Sequence, residues 1–161
     1  MVVIAILASI TIVSYNGIIS KARDAQRSSD ITSIIQALEL YYIDNGQYPG
    51  SPSQTGGSTV INGAWSTTAD GSWQTLVDTL KPYARGIGKD PISPPGVSPL
   101  SGGALNYAYF ASASPYCGAA PYKMYILVYN FEASSKKQET NGDCSTNGLA
   151  YPNASYYRVV K

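Results

Sequence analysis

Apolar residues run almost unbroken over the first fifteen positions, then thin into a stripe. Only Ser9, Thr11 and Ser14 interrupt the opening run before Tyr15, and Ala5, Ala8 and Ser9 are small enough to permit close helix approach. Val2, Val3, Ile4, Ile6, Leu7, Ile10, Ile12 and Val13 are its apolar body. Extended to Ile19, the stretch would rise about 27 Å as a helix, just under the usual spanning length of about 20 residues. From residue 21 to 44 apolar positions recur at three- and four-residue spacings. Ala22, Ala25, Ile31, Ile34, Ile35, Leu38, Tyr41 and Tyr42 form the stripe, and Arg23, Asp24, Arg27, Asp30 and Glu39 are read as the polar positions around it.

No proline occurs before Pro49, and Asn45-Gly46 supplies a left-handed stop. The pattern predicts one helix of about 44 residues, roughly 65 Å long. Residues 1–19 form its apolar half, which needs lipid or other copies around it, and residues 20–45 form its amphipathic half. Ile31, Ile34, Ile35, Leu38, Tyr41 and Tyr42 are expected to pack that half onto a head formed by residues 46–161. Asn16 and Gly17 stand where the character changes. An interior glycine weakens a helix by about 1 kcal/mol relative to alanine, so this pair is a candidate melting point.

The head reads as α+β. Residues 50–71 form a loop rich in Gly, Ser and Thr, with a short hairpin around Val60 and Ile61. Residues 72–81 form a short helix that buries Trp73, Leu76, Val77 and Leu80, with Ser72 placed to cap it and Pro82 to end it. A connector rich in Pro and Gly follows over 86–103. Strands are expected at 105–111, 122–132 and 155–160. The middle one places Tyr125, Leu127, Tyr129 and Phe131 on one face and Met124, Ile126 and Val128 on the other, as a central strand would. The connection over 133–148 is polar throughout. A small antiparallel sheet with one face on the amphipathic half-helix is the natural core.

Composition narrows the chemistry. Charged residues are 13% of the 161 and the net charge is +1, which gives no electrostatic footprint for nucleic acid. Lys136-Lys137 lies among polar residues and reads as a solvated loop. Histidine is absent, which removes the commonest general base and the commonest neutral metal ligand, so no catalytic role and no cofactor are expected. Asp90 and Asp143 are loop carboxylates without the Asp-x-Asp spacing of a calcium site. Asn153-Ala154-Ser155 is a formal glycosylation sequon that chance explains in so polar a chain. Fourteen tyrosines against two Phe and two Trp suit half-buried positions and subunit contacts. Cys117 and Cys144 would be unrelated thiols in the cytosol and a disulfide in an exported protein, closing a loop worth about 3.5 kcal/mol. A signal peptide fits the N-terminus poorly, since no basic region precedes the apolar run and no small-x-small site follows it.

The residues from Val2 to Ala8, the run Lys21-Ala-Arg-Asp-Ala25, and the run from Ala37 through Tyr41-Tyr42-Ile43-Asp44-Asn45-Gly46 to Tyr48-Pro49 together resemble the N-terminal helix of type IV pilins and type II secretion pseudopilins. Lys89-Asp90-Pro91 ahead of a Tyr-rich strand is a weaker echo of the pseudopilin head. The resemblance implies a pilin-like fold and no enzymatic activity. It implies storage in a bacterial cell membrane as a single-pass protein, extraction by inner-membrane machinery, and polymerisation with other copies into an extracellular surface filament. It also implies that Cys117 and Cys144 bound the family's C-terminal disulfide loop. A pseudopilin of a type II secretion or DNA-uptake system is the alternative within the family, and a membrane-anchored monomeric adhesin is the alternative outside it. The family starts with a basic leader, a glycine at the peptidase site, then phenylalanine and a near glutamate. None stands here, so Met1 is expected to fall roughly ten residues inside the family's mature chain. About ten Val, Ile and Leu residues at roughly −0.3 to −0.6 kcal/mol each make the anchor a modest one.

Overall fold

The computed structural model describes residues 2–50, 57–144 and 151–161, and for 2–14, 16 and 101 the backbone alone. One helix, α1 (Val2–Asn45), runs through both halves of the sequence pattern, including Asn16 and Gly17. It stops where the Asn-Gly pair predicts. Gly46 takes φ +68°, a conformation that favours glycine, and its N–H bonds to the Tyr42 carbonyl at 2.8 Å.

The head carries β1 (Trp65–Thr67), α2 (Trp73–Leu80), a 3-10 turn at Pro99–Ser101, β2 (Ala108–Ala111), β3 (Met124–Tyr129), β4 (Gln138–Asn141) and β5 (Ser155–Val160). The strands form one sheet in the order β1-β2-β3-β5-β4. The fold class is α+β, with a long helix on a five-stranded sheet. Its first three pairings are antiparallel, but β4 runs parallel to β5, with Gln138 opposite Tyr156 and Asn141 opposite Val159. The expected wholly antiparallel sheet is therefore corrected to a mixed one. Hairpins would have made β4 antiparallel, but the chain leaves β3, adds β4 at the outer edge and returns through a longer connection to place β5 between them.

β3 is the central strand, buried on both faces as its two apolar sets require. Tyr125, Leu127 and Tyr129 face α1 and α2, where Ile31, Ile34, Leu38, Trp73, Leu76 and Leu80 close the larger core. Ile35, Tyr41 and Tyr42 pack on it half-buried, so all six expected helix-to-head residues lie on this side. Met124, Ile126 and Val128 face a second core built with Trp65, Tyr156 and Cys117 beneath the loops. Cys117 and Cys144 are disulfide-bonded.

Two local expectations differ. Val60 and Ile61 form no hairpin; their amides bond the Ser58 hydroxyl, itself held by Asp70. Ser72 does not cap α2 with its side chain, because its hydroxyl donates to Asp70 and accepts from the Thr67 N–H.

Candidate functional site

The amphipathic half of α1 has two working faces. The face on the head is not wholly apolar: Asp24 and Arg27 continue the stripe of Ile31, Ile34 and Leu38 at alternating three- and four-residue spacings. Both are buried, and Arg27 is 0% exposed. They belong to the buried stripe itself rather than to the polar positions around it, and their spacing is the signal that places them inward.

A buried cation needs partners, and three elements deliver them. Arg27 reaches Asp90 with Nε at 2.6 Å and its second amino group at 3.0 Å, a two-pronged pair. Its other amino group reaches Asp24 at 2.8 Å and Glu132 at 2.6 Å. Arg23 bonds both oxygens of Glu132, through Nε at 2.7 Å and through NH2. Asp24 accepts the successive backbone N–H groups of Glu132, Ala133 and Ser134 at 2.8–2.9 Å, so the loop after β3 wraps its carboxylate. Asp90, a loop carboxylate in the sequence, also accepts the Ile92 N–H at 2.9 Å. Two guanidinium groups and three carboxylates thus fasten α1 to the head.

Their ionisation follows the contacts. Burial alone would raise Asp24, but the three loop N–H groups outweigh it and hold the carboxyl at about 2. Arg23 bonding, aided by Arg27, lowers Glu132 against its partial burial. Burial would lower Arg27, yet its bonds to Asp90 and Glu132 raise it. Asp30 lies the other way: burial raises it, opposed by the Tyr107 hydroxyl that donates to it at 3.2 Å.

A second fastening lies toward the end of α1. Tyr48, fully buried, donates to Glu39 at 2.9 Å, and Lys161 pairs with the other Glu39 oxygen at 3.1 Å. Lys123 bonds the Gly46 carbonyl.

The opposite face of α1 carries no charge along its midline, and exposed Lys21 stands at its edge. Tyr15, Ile18, Ala22, Ala25, Ser29, Gln36, Leu40 and Ile43 are exposed and fall on one side of the helix, at three-, four- and seven-residue steps. Six large hydrophobics are exposed among the described residues, and four of them lie here: Tyr15, Ile18, Leu40 and Ile43. Gly17, seven positions before Asp24 and so in line with the head-facing stripe, is exposed as well, and a Cβ there would meet nothing within 4 Å. Ahead of Arg23 the helix continues for 21 residues, roughly 32 Å. The apolar positions Val2, Val3, Ile4, Ile6, Leu7, Ile10, Ile12 and Val13 lie on this stretch with side chains outside the described residues, as does that of Asn16. Among the described residues no helix is long and apolar enough to cross a membrane.

No family model, curated protein or solved structure matches the chain.

Proposed function

We propose that the chain is a structural subunit of a type IV pilus-like filament. Its N-terminal helix holds it in a bacterial membrane until inner-membrane machinery adds it to other copies of itself at the cell surface. The observation that carries this reading is the outer face of α1, whose midline is uncharged from residue 15 to residue 43, with Lys21 at its edge, and which is continuous in sequence with the apolar run of residues 1–19. A helix that merely displays a head needs no apolar side on its solvent face, where charge is the ordinary choice. Alanines 22 and 25 at its centre let another helix approach closely, and each large hydrophobic newly covered contributes up to roughly 1.5–3 kcal/mol. The arrangement of a long helix fastened along a sheet supports the same reading, and so does the disulfide expected of an exported head.

Ala25→Glu tests it, since residue 25 is exposed and glutamate is a good helix former that leaves the head intact. Cells producing the variant are expected to lose sheared surface fibres seen by electron microscopy, while the head's thermal melt stays at the parental value. Fibres at the parental level from Ala25→Glu would remove the outer face from assembly. No fibre containing the parental subunit would favour the membrane-anchored monomeric binding module instead.

A further inference from the structure

Asp44 departs from a local rule. It lies in the last turn of α1, where the carbonyl end of the helix favours a cation and where the helix has no basic residue. It is exposed, and among the described residues it takes part in no ion pair. Its neighbour Ile43 is 74% exposed, the highest of the large hydrophobics described. An apolar side chain and a carboxylate therefore stand together with nothing in the same copy to cover either. A departure that gains nothing within the subunit points to a use outside it.

A complementary surface lies along the same helix. After α2 the chain lays residues 83–86 beside α1 and leaves a groove of about 300 Å³. Ser33, Gln36 and Leu40 form its wall on α1, Tyr83 and Ala84 line it from the head, and Arg85 stands at it. An adjoining depression shares Ala84 and Arg85 and adds Val77, Asp78 and Lys81. Arg85 and Lys81 are exposed, and among the described residues neither takes part in an ion pair. The surface offers apolar lining and an excess of positive charge.

We propose that this groove seats the Ile43-Asp44 end of α1 from a second copy, with Ile43 against Leu40 and Ala84 and the Asp44 carboxylate on Arg85. The proposal rests on the filament reading and adds the head contact that fixes the stagger of neighbours. Arginine suits the task because its planar guanidinium can donate two N–H groups to one carboxylate. The groove wall on α1 lies four to eleven positions before Asp44, so parallel neighbours are stepped by roughly 6–17 Å along the helix axis. The two surfaces differ, so the contact is heterologous: each copy seats one neighbour and is seated by another, which propagates a filament.

Charge reversal in the full chain tests this. Asp44→Arg and Arg85→Asp are each expected to reduce sheared fibre by about tenfold or more, because like charges then meet across the contact. The double reversal is expected to restore fibre to within about threefold of the parent, a gap of under 1 kcal/mol. Asp44→Cys with Arg85→Cys, oxidised in the fibre, is expected to give a covalent ladder on a non-reducing gel. Parental yield from either single reversal, a double no better than the singles, or no ladder would each overturn the contact. If Ala25→Glu abolishes fibre and Asp44→Arg does not, the contact alone fails. If the parent forms no fibre, the filament reading fails and takes the contact with it.

Discussion

Arg27→Ala is expected to lower the unfolding free energy of the head by about 3–5 kcal/mol, read from denaturant unfolding of the full chain in detergent by Trp fluorescence. The size comes from what stays behind rather than from the bonds removed. Asp24, Asp90 and Glu132 would be left with Arg23 alone, which is half-buried and bonds Glu132, and Asp90 would lose both prongs of its pair. Lysine is not expected to rescue the variant, because one ammonium cannot hold Asp90 two-pronged while reaching Asp24 and Glu132.

The pH dependence separates this account from simple loss of packing. Asp24 and Glu132 have folded-state pKa values below their unfolded ones. Their contribution is therefore present above the ordinary carboxylate pKa of about 4 and is lost as pH falls, for Asp24 through about 2. Asp30 has the opposite sign: raised by burial, it favours the fold below about 4 and gives that up as pH rises through its folded value. In Arg27→Ala the stranded carboxylates gain by taking up protons, so the gap between variant and parent should narrow from pH 7 to pH 3. A gap of equal size at both would mean that Arg27 acts through its volume alone.

How far the sequence carried depends on whether an element's determinants lie within it. The end of α1, the extent of α2 and the two faces of β3 follow from local periodicity, an Asn-Gly stop and a proline, and they sit where those signals put them. β1 did not show itself, being three residues in a Ser/Thr-rich run that pairs only because Phe110 and its neighbours lie opposite. β4 reads Gln-Glu-Thr-Asn and is exposed throughout, so nothing in its own residues marks a strand. The Arg27–Asp90 pair joins positions 63 apart, and no pattern in either segment announces the other. Asp24 and Arg27 could still have been placed inward, because they keep the spacing of the buried stripe. The prior that charges face water outweighed that spacing, although a buried charge with partners is the ordinary exception. The outer face of α1 is half legible: the spacing puts Ala22 and Ala25 on the head-facing stripe, and the structure puts them opposite it.

Removing the Cys117–Cys144 link is the second large loss expected. Replacing both cysteines with alanine should lower stability by about 2–5 kcal/mol, near 3.5 kcal/mol on the chain-entropy account for this ring, as measured by denaturant unfolding. Alanine keeps the buried position of Cys117 apolar, so the loss reflects the link more than the second core. The ring encloses β3 and β4, which differ in what else holds them. β3 is buried on both faces and paired on both sides, whereas β4 is exposed and, among the described strands, pairs with β5 alone. Without the link, the β4 amides bonded to β5 are expected to lose hydrogen-exchange protection well before those of β3. That order would mean the disulfide closes the sheet edge, where a short polar strand cannot hold itself. Simultaneous exchange of the two strands would instead place its whole effect on the unfolded chain.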